Sequence, residues 1–262
     1  MRSEKRTGNG YLGAGLCGLL AVSILLVACQ TPGTSTPQPP TPVAVPEFPS
    51  PGPSPVGLAW DGSHLWVVDG ETRLLYLVDL ATGESIRELG IEAEQPQSAA
   101  WDGESLWVLD EGADLILRLD PETGEKTGSI EAPRPDIEGD WSYAGMTWDG
   151  RFLWVAISAG WCSSLNCIRP ESGEIAVSFF PQCNPRGLAS DGEHLWTIAY
   201  NGEELPSKLD QRLLSDRIEE MAQSQEFLFD LRVTDPTALA YGDGVLWMAD
   251  RAEGRILQIK AR

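Results

Sequence analysis

From about residue 55 to its end, the chain alternates short apolar stretches with polar turns that contain Gly, Asp, Pro or Ser. This pattern is typical of β-strands joined by tight turns. The first four predicted strands cover residues 55–60, 65–68, 74–80 and 85–89. Asp61-Gly62 separates the first two strands, and Gly there tolerates the positive φ of a hairpin turn. The pattern therefore predicts a sheet of four antiparallel strands.

The same pattern then recurs along the chain. A Leu-Trp pair marks the second strand of each repeat, and the pairs are Leu65-Trp66, Leu106-Trp107, Leu153-Trp154, Leu195-Trp196 and Leu246-Trp247. Their spacing of about 40 to 50 residues is typical of propeller blades. We therefore predict an all-β fold, a β-propeller of five four-stranded blades, and favour it over a ring of six.

Two segments depart from the repeat. Residues 207–225 carry Leu209, Leu213, Ile218 and Met221 near helical spacing, which predicts a short helix inserted in blade four before a closing strand at 226–233. The last repeat is one strand short, and residues 42–48 are the only spare extended segment. Their prolines are tolerated in an edge strand, so this segment is predicted to complete the last blade.

The N-terminal residues have the features of a targeting signal. Basic residues at the start are followed by an apolar stretch that runs to residue 28. The end of this stretch and the next residue, Leu26-Val27-Ala28-Cys29, resemble the lipobox of bacterial lipoproteins. A retained membrane helix is the alternative. The resemblance implies a signal peptide at 1–28, acylation of Cys29 and a proline-rich linker at 29–41 before the propeller at 42–262. It also implies an extracytoplasmic protein on the bacterial cell membrane. By the same resemblance, Gln30 rather than Asp after the Cys means no retention signal for an inner membrane, so the outer membrane is expected if the host has one.

The net charge of the chain limits the classes of partner that are expected. The chain has 19 Lys and Arg against 39 Asp and Glu, which gives a net charge of −20. Such a surface repels phosphate backbones, so nucleic acid is not an expected partner, and the membrane is expected to be reached only through the lipid. We expect a monomer with no cofactor, apart from the Ca²⁺ considered below.

Two tryptophans lie outside the repeat and mark a candidate binding site. Trp141 and Trp161 belong to loops at one end of the ring, here called the loop face, which carries the loops into each first strand and those between second and third strands. Asp140, Tyr143, Arg186 and Arg251 are predicted on the same face. Exposed aromatic residues near charged groups are typical of recognition surfaces, so a protein, peptide or glycan ligand is expected. The alternative is that the two tryptophans cap the long loops of blade three.

Three aspartates end second strands near the same face. Asp69, Asp110 and Asp250 are candidates to bind a hard cation such as Ca²⁺. Alternatively, they accept hydrogen bonds from nearby backbone N–H groups, which is the interpretation we favour.

Export would place Cys162, Cys167 and Cys183 in an oxidising compartment. We expect a disulfide between Cys162 and Cys183, which lie in loops at the same end of blade three. The alternative pairing joins Cys162 to Cys167.

The repeats resemble those of bacterial secreted propellers of the NHL and YVTN type, and the five-blade count is similar to that of plant-type glutaminyl cyclotransferases. Those enzymes carry a Glu after the Leu-aromatic pair of the first blade, where this chain has Val67, and the second pair is followed by Val108. We therefore expect a binding or scaffold module acting through its loop face. The alternative is a cyclotransferase-like, lyase or lactonase enzyme that uses carboxylates at the channel mouth, among them Asp140.

Overall fold

The computed structural model describes residues 45–135, 139–159, 163–180, 185–199, 208–215, 224–228 and 233–260. The chain divides into two units, Met1–Gln38 and Pro39–Arg262, and every described residue belongs to the second. Within the described ranges no helix has the length and apolarity needed to cross a membrane.

The described residues form five four-stranded antiparallel sheets, which confirms the five-bladed β-propeller. Blade one consists of β2 (Pro55–Trp60), β3 (Leu65–Asp69), β4 (Leu74–Val78) and β5 (Ser85–Gly90). Blade two consists of β6 (Pro96–Trp101), β7 (Leu106–Asp110), β8 (Leu115–Leu119) and β9 (Lys126–Glu131). Blade three consists of β10 (Ser142–Trp148), β11 (Leu153–Ser158), β12 (Ser164–Ile168) and β13 (Ile175–Phe179).

Blade four consists of β14 (Pro185–Ser190), β15 (His194–Ala199), β16 (Lys208–Leu213) and β17 (Ser224–Leu228). The predicted helix over 207–225 is wrong where the structure describes it, because residues 208–213 and 224–225 are strand. Asp210 and Arg212 are buried polar residues on β16, so the strand lacks the apolar alternation that would have revealed it. Residues 216–223 lie outside the described residues.

Blade five closes the ring with a strand from the other end of the propeller sequence. It consists of β18 (Pro236–Gly242), β19 (Val245–Asp250), β20 (Arg255–Lys260) and the outer strand β1 (Val45–Pro49). Phe48 of β1 pairs with Ile256 of β20 and is buried against blade one and blade five. The predicted closing segment is therefore confirmed, within a few residues of its expected bounds.

The core lies between blades. Each of five apolar clusters joins two neighbouring blades, and the Trp of every second strand faces the next blade around the ring. The three inner strands of blade one are buried on both faces, whereas the outer strand β5 alternates between half-buried and exposed residues. Stacking the blades is therefore what buries their apolar faces, as expected for a repeat fold.

The Asp of the first turn links that turn to the Trp of the second strand. Asp102 accepts the backbone N–H groups of Glu104 and Ser105 with one oxygen, and Trp107 Nε1 donates to the other at 2.7 Å. The same arrangement holds in blades one, three and four. The repeated Asp-Gly turn, which follows Trp in blades one to three and Ser in blade four, is thus a hydrogen-bonded corner, with Gly supplying a positive φ.

Candidate site at the channel mouth

The first strand of each blade is its innermost strand, and it contains a β-bulge close to the loop face. The register with the second strand shifts between Pro55 and Gly57 in blade one, and the other four blades shift at the equivalent place. The residues within these irregularities include Val56, Gln97, Ala144, Arg186 and Thr237. A bulge bends its strand and redirects a side chain, and bulges are common beside functional sites.

The five bulge residues line one cavity. Its volume is about 210 Å³, and every blade contributes to its wall. The remaining lining residues are Glu111, Ser142, Tyr143, Ser158, Pro185, Pro236 and Arg251. The cavity lies where the innermost strands of the five blades begin, so it is the loop-face mouth of the central channel.

Small residues next to the bulges let the inner strands approach one another. A Cβ added to Gly57 would lie 2.8 Å from the backbone nitrogen of Ala99 in the next blade, and one added to Gly145 would lie 2.7 Å from that of Leu188. Only glycine allows this close approach of two backbones. Glycine at this position in blades one, three and four therefore allows neighbouring innermost strands to lie close together beneath the cavity.

Glu111 is the carboxyl group of this cavity. Its Oε2 accepts a hydrogen bond from Gln97 Nε2 at 2.9 Å, and its Oε1 accepts one from the backbone N–H of Tyr143 at 3.3 Å. Burial raises the pKa of Glu111, the two hydrogen bonds oppose the increase, and the charge of Asp114 adds to it. The result is a carboxyl group held in place that titrates above its ordinary range.

Sequence reasoning missed both Glu111 and Gln97. Gln97 replaces Val56 of blade one, and Glu111 replaces Gly70, so both stand at positions where the repeat varies. Variation within an otherwise regular repeat was the signal that could have identified them. The bulges themselves have no comparable signal in the sequence.

The predicted ligand-binding residues divide into three groups. Tyr143, Arg186 and Arg251 all line the cavity, so the structure brings them together. Arg251 is exposed, and its guanidinium forms an ion pair with Asp235 at 2.8 Å. Asp140 is exposed outside the cavity lining, and Trp161 lies outside the described residues.

Tyr143 and Trp141 pack against each other. Their rings meet edge to face with centroids 5.2 Å apart, and the Arg134 guanidinium lies 5.8 Å from the centre of the Trp141 ring. Tyr143 is buried, and this burial together with the charge of Asp114 raises the pKa of its hydroxyl. Trp141 is half-buried beside the cavity, whereas the Tyr143 ring belongs to the core between blades two and three.

The three candidate metal ligands accept hydrogen bonds from backbone groups of their own blades. Asp69 accepts from Glu71 and Thr72, Asp110 from Glu94 and Gln95, and Asp250 from Thr234 and Asp235. All three are buried, and each ties the loop into the first strand or the following turn to the second strand. Among the residues that the structure describes, no three His, Cys, Asp or Glu side chains are grouped so that they could hold a metal ion.

The structure describes one of the three cysteines, Cys167, and both valines that follow the first two Leu-Trp pairs, Val67 and Val108. Cys162 and Cys183 lie outside the described residues, so their predicted disulfide stays a prediction. Cys167 is a buried free thiol, and its burial raises its pKa to about 12. Val67 and Val108 are fully buried between blades, so an apolar side chain occupies the position where the cyclotransferases carry their Glu.

Comparison with known proteins places the chain in a class of folds. No protein-family model matches it, and no curated protein does. The structure is similar to Myxococcus xanthus glutaminyl cyclase, with a TM-score of 0.63, 12% identity, and coverage of 84% of this chain and 96% of that one. It is also similar to Staphylococcus aureus virginiamycin B lyase, with a TM-score of 0.48, 18% identity, and coverage of 82% and 69%. Identities this low establish the propeller fold alone.

Proposed function

We propose that this protein is a lipid-anchored, extracytoplasmic propeller that binds a protein, peptide or glycan ligand at the loop-face mouth of its channel. The observation that carries the proposal is the convergence of five bulges, one from each blade, on one cavity. Their side chains differ chemically although the blades share one repeat. Several polar groups aimed into one concavity are what orient a ligand.

The direction of β1 supports presentation of this face to solution. Val45 pairs with Gln258 and Pro49 pairs with Arg255, and the backbone N–H of Ser50 donates to Gly254 in a loop of the loop face. The chain therefore enters the propeller at the opposite end, here called the hairpin face. The first described residue, Val45, therefore lies at the end of the propeller opposite the cavity.

Arrays of short peptides and oligosaccharides, probed with the full chain in detergent, test this proposal. A ligand captured by the parent protein should bind at least about tenfold more weakly to Arg186→Gln, because central arginines commonly contribute more than 1.4 kcal/mol to an interface. Arg151→Gln, at an exposed arginine of the hairpin face, is the matched control. Equal binding by all three proteins, or capture of nothing, contradicts the proposal.

A second function is favoured by one observation, the raised pKa of Glu111 inside the cavity. A half-buried carboxyl group that titrates nearer neutral pH is suited to proton transfer. We propose as the alternative that Glu111 acts as a general acid and base in a cyclisation or elimination reaction. This alternative needs no carboxylate at position 67, since Glu111 reaches the cavity from the turn after β7.

The glutaminyl cyclase similarity supplies a substrate for the test of this alternative. A peptide with N-terminal glutamine is incubated with the full chain, and release of ammonia is measured together with the pyroglutamyl product. Glu111→Gln should lower the rate by at least about a hundredfold if the carboxyl group transfers protons. Product formation unaffected by Glu111→Gln, or absent from the parent protein, rejects glutaminyl cyclisation by Glu111.

A further inference from the structure

The fifth blade breaks the corner that the other four blades share. In those four, the Trp Nε1 of the second strand donates to the Asp of the preceding turn, at distances from 2.6 to 3.2 Å. In blade five Gly242 stands at the position of that Asp, and no acceptor for Trp247 Nε1 is found in the part of the chain that the structure describes. Trp247 is 95% buried, with a relative exposure of 5%. One buried donor therefore lacks the partner that its four counterparts have.

This donor belongs to a residue that lines a second cavity. The cavity has a volume of about 290 Å³ and lies between blade five and blade one, at the hairpin face. Its apolar lining residues are Phe48, Trp60, Leu80, Val245 and Trp247, and Gly242, Asp243 and Gln258 complete the wall. The equivalence of the blades directs Nε1 toward residue 242, which is itself part of that wall.

The neighbouring Trp60 prevents a side chain at position 242 from restoring the bond that the other four blades have. A Cβ on Gly242 would lie within contact distance of the Trp60 ring, well below any normal separation. The glycine is thus required by packing across the ring closure, and the indole N–H is left for a molecule from outside. A buried donor without an acceptor is costly, which favours occupation by a molecule that supplies one.

We propose that this cavity binds a small neutral molecule that is mainly apolar and carries one acceptor oxygen, such as a ketone, ester or amide carbonyl. The apolar lining favours hydrocarbon, and Trp247 Nε1 requires an acceptor. The exposed carboxylate of Asp243 at the wall disfavours an anionic ligand. This site is separate from the channel-mouth cavity and does not depend on the proposed function.

The indole N–H resonance of Trp247 tests the proposal directly. The full chain is labelled with ¹⁵N at tryptophan, the resonance is assigned by its loss in Trp247→Phe, and cyclohexanone is added as the probe. We expect a saturable downfield shift of the Trp247 resonance with a dissociation constant of about 1 mM, in the range for so small a ligand. The Trp107 resonance, whose N–H is bonded to Asp102, should not move.

A cavity-filling variant and a charged analogue complete the experiment. Val245→Phe should weaken cyclohexanone binding at least about tenfold while its other indole resonances stay in place, and cyclohexanecarboxylate should bind correspondingly more weakly than the ketone. A Trp247 resonance unaffected by cyclohexanone would show that the cavity takes water only and would overturn the proposal. Equal binding in Val245→Phe would overturn it as well, because the probe would then lie elsewhere.

Discussion

At the scale of single residues, the Asp of the Trp-Asp-Gly turn has three partners. Asp149 accepts the backbone N–H groups of Arg151 and Phe152 and the Nε1 of Trp154 at 2.6 Å, and the Trp154 side chain is buried between blades three and four. The turn therefore fixes the orientation of a core tryptophan. Its contribution exceeds that of an ordinary surface turn, because an unmatched donor would be buried without it.

Asp149→Asn should therefore destabilise the fold by about 1–3 kcal/mol, since one amide nitrogen would face the indole N–H or a backbone donor. The free energy of unfolding in urea measures this loss. Asp243→Asn in blade five is the matched control, because Asp243 is an exposed turn residue outside that corner, and a change within about 0.5 kcal/mol is expected. Equal losses in the two variants would show that the indole bond contributes nothing.

The raised pKa of Glu111 has a consequence for stability. Because the folded state holds the pKa above its unfolded value of about 4.3, ionisation of Glu111 disfavours folding. The unfolding free energy of the parent protein should then fall, relative to that of Glu111→Gln, as the pH rises from about 4 toward 7. Urea denaturation of both proteins across this range checks the sign. A difference that is independent of pH would contradict the raised pKa.

At the scale of elements, the inner strands combine a bulge with a small residue. The bulge directs one side chain into the cavity, and the adjacent Gly or small residue lets the neighbouring strand approach. In blade one these are Val56 and Gly57. The two features occupy consecutive positions. In each such dipeptide the first residue lines the cavity and the second packs against the neighbouring blade.

Gly57→Ala should cost about 1–3 kcal/mol of stability, because its Cβ would meet the backbone of Ser98 and Ala99 at about 2.8 to 2.9 Å. Gly90→Ala, in the outer strand β5, is the control, since nothing lies within 4 Å of its Cβ and its stability should be unchanged or slightly higher. Denaturant midpoints of both variants decide the matter. A stable Gly57→Ala protein would mean that the inner strands have room to separate.

The outer strand β1 contributes through one buried side chain. Phe48 lies 6.1 Å from Trp247, measured between ring centroids, and packs in the cluster between blades five and one. Phe48→Ala should therefore cost about 3–5 kcal/mol, whereas Pro49→Ala, at an exposed position of the same strand, should cost little. Thermal unfolding compares them. Similar melting temperatures would mean that β1 does not hold the ring closed.

At the scale of the whole molecule, a closed ring of five blades has the channel-mouth cavity at one end and receives β1 from the other. The ring is closed by pairing β1 with β20, so first and last segments of the propeller share one sheet.

The predicted lipid anchor is tested by Cys29→Ala. Cells that express this variant in the presence of a radioactive fatty acid should yield an unlabelled protein, because the acceptor thiol is gone, and the protein should lose stable membrane attachment if the signal is cleaved. Cys17→Ala, within the predicted signal peptide, should remain fully labelled. Label retained by Cys29→Ala would reject the lipoprotein interpretation.

The sequence by itself determined the architecture. Blade number and strand order could be predicted because both rest on local features that repeat, such as Asp61-Gly62 at a turn or the Trp66 position in a strand. Ring closure could be predicted because the last repeat lacks one strand and residues 42–48 are a spare extended segment. The exception was β16, where buried Asp210 and Arg212 removed the apolar alternation. A local pattern that recurs along the chain predicts structure more securely than a single copy, because each copy gives the same prediction.

Only the tertiary structure decided the composition of the site. Glu111, Arg186 and Arg251 come from blades two, four and five and meet because the ring closes, and the bulges that redirect the inner-strand residues depend on pairing between strands. The pKa of Glu111 likewise depends on burial and on partners from two other strands. Contacts between residues distant in sequence set these properties, and no local pattern encodes the distance between them.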